Sequence, residues 1–341
     1  MNLEILGISV LWTFLFGYIM VGAIDFGAGF FNAYSLLTGK QRILTNVIQR
    51  YLSPVWEVTN VFLVFFFVGI IGFFPKTAFY YGTTLLVPVS FGIILLAVRG
   101  SYYAFETYGA RGHKGYSFMY GLAGLLIPAS LSIVLTISEG GFIEMVDGRP
   151  VLDYWILFTS PLTWSIVVLS LSATLYISAV FLTWYAHKAG DIEATGLLRK
   201  YALIWALPTI VTAGGIIFEL RKHNPEHYEN IQTFWPMFLI SFILFIGTVY
   251  LLAKRKQYGW AFGLLGGQFA FAFFGYGASH YPYLLYPYLT LYDSFTNPAM
   301  ATALVIAFIL GLCLLIPSLI LIMRLFLFNK DYVRGKSDHH A

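Results

Sequence analysis

Charged residues are scarce in this sequence. Only 11% of its 341 residues are Asp, Glu, Lys or Arg, whereas 59% are hydrophobic and 19% are aromatic. A soluble domain carries about a quarter charged residues, so the composition excludes an ordinary soluble protein and predicts a polytopic membrane protein. The net charge of +4 therefore gives no indication of nucleic-acid binding, and none is expected.

The chain has only one cysteine, and none of its histidines lies in the middle of a predicted span. The single cysteine, Cys313, excludes an internal disulfide framework, a cysteine-ligated iron–sulfur cluster and a four-cysteine zinc site. Membrane cytochromes ligate haem with His or Met inside the bundle, and no histidine pair has that placement, so we expect no haem on this chain. His339 and His340 in the tail form a poor metal site, and we predict no metal. The histidines lie in loops, at the ends of apolar segments or in the tail: His113, His187, His223, His227, His280, His339 and His340.

Long apolar runs fill the rest of the chain. Windows of roughly 20 apolar residues predict nine transmembrane helices in an all-α integral membrane protein that forms one domain, 1–341. We expect a first four-helix bundle (1–138), a second (160–280), a peripheral ninth helix (298–326) and a cytoplasmic tail (327–341). The predicted spans are 5–33, 53–74, 79–106, 117–138, 160–186, 200–220, 234–253, 258–280 and 298–326.

The distribution of Lys and Arg predicts the orientation. With nine spans, 16 of the 20 basic residues fall on one side of the membrane and four on the other. Because cytoplasmic loops carry the excess of Lys and Arg, the N-terminus is expected outside and the C-terminus inside. The loop 139–159, which is acidic, and the aromatic, proline-broken segment 280–288 are then both outside.

Asp25 is the most unusual residue of the first span. A carboxylate in such an apolar run is costly, by a few kcal/mol on insertion scales. Gly22 and Gly29 lie at i−3 and i+4 on its own face, which leaves room for water or for a close neighbouring helix. Asp25 is therefore predicted to be an ion or proton site, or else a structural acid satisfied by a neighbouring helix.

Other polar residues are predicted to gather at the same depth. Asp25 lies roughly 30 Å along a helix that rises about 1.5 Å per residue, near the inner edge of the hydrocarbon. Glu57 with Asn60 on span two, and Arg99 with Glu106 on span three, reach the same side. Such a one-sided cluster is typical of a proton uptake path. The alternative is a charge pair, Arg99 with Asp25 or Glu57, that only holds the bundle together.

Three motifs on the first three spans resemble subunit II of cytochrome bd-type quinol oxidases. Their order and spacing, the nine spans and the chain length agree with that family, so the resemblance covers essentially the whole chain. The motifs are Gly17-Tyr18 with Gly22-Ala-Ile-Asp25-Phe-Gly27-Ala-Gly29, then Pro54-Val-Trp56-Glu57-Val-Thr-Asn60, then Arg99-Gly100 with Phe105-Glu106.

The resemblance implies a heterodimer in the bacterial cytoplasmic membrane. The partner, subunit I, would carry two b-type haems and haem d, oxidise quinol and reduce oxygen to water, as part of an aerobic respiratory chain. This chain would be its haem-free companion in a proton-translocating oxidoreductase, stabilising subunit I and bringing it cytoplasmic protons. Some family members also hold a structural quinone, and a small single-span subunit joins some complexes.

The resemblance also assigns residues. Asp25 and Glu57 would conduct protons, with Trp56 packed beside them and Asn60, Arg99 and Glu106 as a supporting polar cluster. Many relatives have Asp where Glu57 stands, and Thr107-Tyr108 replaces the expected Phe-Arg, which weakens a role for Glu106.

Two other functions compete with the oxidase subunit. The first is a secondary transporter or ion channel that uses Asp25 and Glu57 as ion-binding acids, although paired broken helices and inverted repeats, which are common in transporters, are not evident. The second is a purely structural membrane scaffold.

Overall fold

The computed structural model describes residues 2–108, 114–322 and 324–325. Helices dominate it, and their order along the chain matches the predicted spans. The helices are α1 (Leu3–Leu37), α2 (Gln41–Phe73), α3 (Pro75–Thr84), α4 (Leu86–Tyr108), α5 (Lys114–Ser138), α6 (Tyr154–Thr159), α7 (Pro161–Ala189), α8 (Ile192–His223), α9 (Pro225–Thr233), α10 (Trp235–Ala253), α11 (Tyr258–His280) and α12 (Pro298–Ile322).

Each predicted span overlaps a long helix, which confirms the all-α membrane fold class. Within the described ranges, seven helices are long and apolar enough to cross a bilayer, and an eighth span results if the bent pair α2 and α3 is counted as one. The described apolar part of α4, Leu86–Tyr102, is shorter. The number of nine spans, the orientation and the division into two bundles stay predictions.

Two predicted boundaries differ from the observed helices. The second span was expected to begin at residue 53, but α2 begins at Gln41. The segment before residue 53 is polar, so a search for apolar residues does not include it although it is helical. The third was expected over 79–106, but the chain forms α3 and α4 as separate helices. Pro75 begins α3, which lies at 120° to the end of α2. Ser294 anchors α3 by accepting a hydrogen bond from the Thr77 amide at 2.8 Å.

The packing of the helices places α7 at the centre. Helix α1 packs on α2, α5 and α7; α4 packs on α5; and α7 packs on α8 and α11, which contacts α10. In α7, 72% of the most apolar 18-residue window is buried, against 11% in α10 and in α12. The outer helices therefore present apolar faces, as expected of surfaces that meet lipid or another membrane chain.

A close approach joins α1 to α7. A Cβ added at Gly27 would lie only 2.4 Å from the Cβ of Ser178, so the two backbones meet where neither side chain is large. The hydroxyl of Ser178 donates to the Ile24 carbonyl at 3.0 Å. Small residues such as glycine and serine allow helices to pack closely in membranes. This contact holds α1 against α7 next to Asp25.

Two short hairpins lie at the end of the molecule where α5, α8 and α11 end. Strands β1 (Ile143–Val146) and β2 (Arg149–Leu152) pair antiparallel through Asp147-Gly148, both at positive φ. This is the Asp-Gly sequence that a tight two-residue hairpin turn favours. Strands β3 (Tyr283–Leu285) and β4 (Leu289–Thr290) form the second hairpin. The loop 139–159 and the segment 280–288, predicted only as loops, are thus largely ordered by backbone pairing.

Candidate functional site

Asp25 and Arg99 form a buried ion pair. Arg99 Nη2 lies 2.9 Å from Asp25 Oδ2, and the two side chains are 1% and 4% exposed. Burial of two charges is costly unless their geometry is good and their remaining polar atoms are hydrogen-bonded. This geometry joins spans one and three through Asp25, one of the two acids that the sequence left open as a partner of Arg99.

Further contacts hold the guanidinium of Arg99. Nη1 donates to the Tyr120 carbonyl at 3.1 Å, and Nη2 donates to the Asp25 carbonyl at 3.3 Å. The guanidinium carbon lies 3.9 Å from the centroid of the Tyr120 ring and 5.1 Å from that of Phe26. A cation over an aromatic face is attracted by the ring's quadrupole, so Arg99 ties α1, α4 and α5 together.

Glycines make the room for this arginine. A Cβ at Gly29 would lie 2.9 Å from Arg99 Nη1 and 2.7 Å from Tyr120 Cε1. A Cβ at Gly124 would lie 2.9 Å from the same nitrogen and 2.5 Å from the Phe26 carbonyl oxygen. Gly29 lies at i+4 from Asp25, and the sequence predicted space beside it for water or a neighbouring helix. Arg99 and Tyr120 occupy that space.

The two oxygens of Asp25 differ in their surroundings. Oδ2 faces the guanidinium, whereas Oδ1 accepts a longer hydrogen bond, 3.3 Å, from the Tyr120 hydroxyl. One oxygen is thus held by a fixed cation, and the other contacts a neutral hydroxyl that both donates and accepts hydrogen bonds. The second oxygen is the one suited to exchange a hydrogen-bond partner.

A polar stripe runs along α1 through this site. Tyr18, Asp25 and Asn32 follow one another at seven-residue spacing, which places them on one face with a rise of about 10 Å per step. All three are buried, at 3–4% exposure. Among the described residues, the Tyr18 hydroxyl and the Asn32 Oδ1 have no hydrogen-bond partner. Buried polar atoms of this kind are usually satisfied by water.

Most of the other predicted site residues have side chains outside the described part of the structure. Trp56 and Glu57 fall in α2 and Glu106 falls in α4, but the side chains of all three lie outside the described residues. Asn60 is half-buried. The structure therefore joins Asp25 to Arg99 and leaves the predicted convergence of Glu57 and Glu106 on this pair as a prediction.

A second ionisable cluster lies at the far end of the bundle. Glu139, directly after α5, has a fully buried side chain. His227 Nδ1 lies 3.0 and 2.9 Å from its two carboxylate oxygens, and His280 Nδ1 lies 3.8 Å from Oε1. Tyr276 donates a short hydrogen bond to Oε1. Three helix ends, those of α5, α9 and α11, therefore converge on one carboxylate.

Local structure holds this carboxylate in place. Gly140 and Gly141, both at positive φ, turn the chain back after Glu139; a Cβ at Gly140 would lie 2.5 Å from the Tyr286 carbonyl oxygen. Asn224 caps α9 by accepting from the His227 amide at 3.1 Å, and its amide nitrogen donates to Glu139 Oε2 at 3.0 Å.

The same contacts decide the charge of Glu139. Burial raises the pKa of its carboxyl group, but the hydrogen bond from His227 and the charges of His280 and His227 outweigh burial, so the pKa lies below its usual value. The carboxylate is therefore the stable form.

Sequence reasoning missed this cluster. Its members lie in segments predicted only as loops or span ends, separated along the chain by more than 50 residues. Two local signals were available: the Asn224-Pro225 pair, typical of a helix N-cap followed by proline, and the Gly140-Gly141 pair after an acid. Neither signal identifies the partners.

The fold and the buried pair define a polytopic membrane protein whose first helices enclose a charged site. The family model for cytochrome bd terminal oxidase subunit II matches residues 3–326. The chain belongs to this family, and it is accordingly a multi-pass protein of the cell membrane.

Two similar proteins agree with the family assignment. The chain is 33% identical over 338 residues, covering 97% of each chain, to the putative cytochrome bd menaquinol oxidase subunit II of Bacillus subtilis (strain 168). It is 65% identical to a chain in the structure of bd oxidase from Geobacillus thermodenitrificans, with a TM-score of 0.85 and coverage of 96% of this chain and 100% of that chain.

Proposed function

We propose that this chain is the haem-free subunit of a bd-type quinol:oxygen oxidoreductase and that it stabilises the haem-bearing subunit I in a heterodimer. The family match and the 65% identity to a chain of a bd oxidase support this role. His187, His223, His227 and His280, the histidines in the described ranges, lie at or just beyond helix ends. That placement does not suit a haem in the bundle core. The b-type haems, haem d, any structural quinone and any small single-span subunit are assigned to the rest of the complex.

The second part of the proposal is a proton uptake path through Asp25. Oxygen reduction to water consumes protons, and an apolar bundle does not conduct them. The observation that carries this part is the buried Asp25 carboxylate, whose Oδ1 faces the Tyr120 hydroxyl while Arg99 holds Oδ2. Tyr18 and Asn32, whose buried oxygens have no hydrogen-bond partner among the described residues, lie on the same stripe and provide the neighbours between which water relays a proton. Glu57 is assigned to the cytoplasmic start of the path.

Turnover of charge-neutral variants tests this path. Asp25→Asn and Glu57→Gln keep the shape of each side chain but remove the ionisable group. Both should slow oxygen consumption by the purified complex, by about tenfold or more, as expected when a positioned proton-transferring group is lost. The haem content per complex should stay close to that of the wild type, since neither residue touches a haem in this proposal.

Glu193→Gln is the matched control. Glu193 is an exposed acid in the first turn of α8, and its loss should leave turnover unchanged. Full turnover in both Asp25→Asn and Glu57→Gln would contradict the proton path and favour a structural scaffold. Purification of the chain without any haem-bearing partner would contradict the oxidase role itself and favour the transporter.

A further inference from the structure

We propose that Glu139, His227 and His280 form a binding site for a divalent transition-metal ion, with zinc as the ion that fits best. The site lies at the end of the bundle assigned to the outside by the distribution of basic residues, away from the Asp25–Arg99 pair. It is independent of the proton path and of the oxidase role.

The donor atoms have the separations that a zinc ion requires. Glu139 Oε1 lies 3.0 Å from His227 Nδ1 and 3.8 Å from His280 Nδ1, and the two Nδ1 atoms are 3.5 Å apart. The point equidistant from three atoms so placed lies about 2.0 Å from each, which matches the usual zinc–nitrogen and zinc–oxygen bonds of about 2.0–2.2 Å. Two imidazoles and one carboxylate are also a common zinc ligand set.

The two histidines face each other in a way that metal binding explains. The two Nδ1 atoms are 3.5 Å apart. If both carried a proton, the two N–H groups would repel each other, whereas a metal cation between them would be attracted by both nitrogen lone pairs. Among the described residues, His280 Nε2 has no hydrogen-bond partner although it is buried. Contacts of Nδ1 with the cluster, and not a hydrogen bond at Nε2, therefore set the orientation of the His280 ring.

The partners around the cluster orient its ligands. Ser279 donates its single hydroxyl proton to the Tyr276 carbonyl at 2.9 Å. His227 Nε2 lies 2.8 Å from the same hydroxyl oxygen, a contact that holds the ring with Nδ1 toward Glu139. Asn224 holds Glu139 Oε2 at 3.0 Å. Outer hydrogen bonds of this kind fix the tautomer of metal-binding histidines and the orientation of metal-binding carboxylates.

The cluster lies beside a small pocket. His227 and His280 line this pocket together with Glu226, Asn230, Tyr283 and Tyr286. Glu226 is exposed, and its carboxylate adds negative charge beside the two histidines. Within the part of the chain that the structure describes, Glu139 forms ion pairs only with these two histidines, so no lysine or arginine competes with a metal ion for it.

Zinc binding to the purified complex tests the proposal. After treatment with a chelator and removal of the chelator, Zn²⁺ alone is added to the wild type and to variants, and bound zinc is quantified against a competing chromophoric chelator. We expect one tightly bound zinc ion per wild-type chain. Glu139→Gln and His280→Gln each remove a ligand, so their zinc affinity should fall by more than about 100-fold, which is the largest loss seen when only an outer partner is removed. Ser279→Ala should weaken binding by about 10–100-fold. His187→Gln and Glu144→Gln, changes at a histidine and an acid outside the cluster, should bind like the wild type.

A second measurement separates loss of a ligand from loss of the fold. Co²⁺ in place of Zn²⁺ should give the intense visible absorption of a tetrahedral site in the wild type and in Ser279→Ala, which keeps all three ligands. A wild type that binds zinc no more tightly than Glu139→Gln, or variants that bind as well as the wild type, would overturn the proposal and leave a hydrogen-bonded ion pair only.

Discussion

The two buried ionic clusters differ in their cations. Arg99 pairs with Asp25 between α4 and α1, and its guanidinium also contacts two carbonyls and two aromatic rings. Glu139 pairs instead with two imidazoles at helix ends. Unlike a guanidinium, an imidazole can lose its proton and can bind a metal ion.

This difference separates their roles. A pair with a permanent cation keeps a charge fixed within the bundle, and the second oxygen of its carboxylate faces the Tyr120 hydroxyl. A carboxylate with two imidazoles at helix ends offers the three donor atoms of the proposed metal site. Variants that act on one cluster and leave the other intact test this difference.

Removing the arginine should have the largest effect. Arg99→Ala leaves the Asp25 carboxylate buried without its partner, which costs about 3–5 kcal/mol in measured cases. We expect a strong fall in the yield of assembled complex, measured by size-exclusion chromatography of solubilised membranes. An unchanged yield would show that Asp25 is solvated and not dependent on Arg99.

A double variant sharpens this test. Asp25→Leu combined with Arg99→Met removes both charges, and replacing a buried ion pair with apolar residues is often neutral for stability. Its yield should exceed that of Arg99→Ala alone. Equal loss in both variants would show that the arginine acts through its carbonyl and ring contacts instead of through Asp25.

A methyl group in the arginine's pocket should have the next largest effect. Gly124→Ala would place a Cβ 2.5 Å from the Phe26 carbonyl oxygen and 2.9 Å from Arg99 Nη1, and overpacking of this kind costs about 1–3 kcal/mol. The thermal midpoint of the purified complex should fall. The control is Gly214→Ala in α8, where an added Cβ meets nothing within 4 Å; this change should be neutral or stabilising, because alanine favours a helix.

Loss of the Asn224 side chain should affect the other cluster. Asn224→Ala removes the cap of α9 and the hydrogen bond to Glu139, and loss of such a cap costs about 0.5–2 kcal/mol. We expect a lower thermal midpoint with turnover retained. Asp153→Ala, which removes only the cap of the short helix α6, should have a smaller effect, and equal effects would mean that the link to Glu139 contributes nothing.

The smallest effect is expected at the Tyr120 hydroxyl. Tyr120→Phe keeps the ring over Arg99 but removes the 3.3 Å hydrogen bond to Asp25 Oδ1, worth about 0.5–1.5 kcal/mol. Assembly should be nearly normal while oxygen consumption falls, because the neighbour of the exchangeable oxygen is lost. Normal turnover would place the path elsewhere around Asp25.

The site at Asp25 was predictable because its signals are local. Glycines at helical spacing around one acid indicated a close neighbour, and the length of each apolar run placed Arg99 at the same depth. Apolar composition likewise predicts where the long helices lie. It does not predict the break at Pro75 or the polar start of α2, since hydropathy windows do not register a helix that continues beyond the bilayer.

The cluster at Glu139 was not predictable for the opposite reason. Glu139, His227 and His280 meet because the end of α5, the start of α9 and the end of α11 lie together in the fold. Separations of this length along the chain carry no periodic signal. Each residue alone is an ordinary polar residue at the end of a span, and the convergence exists only in the fold.

An optical spectrum of the purified complex, beside one of this chain expressed alone, tests the central proposal most directly. We expect haem b and haem d bands from a complex with a second subunit, and no haem band from the isolated chain. A chain that purifies without any haem-bearing partner, or that binds haem by itself, would contradict it.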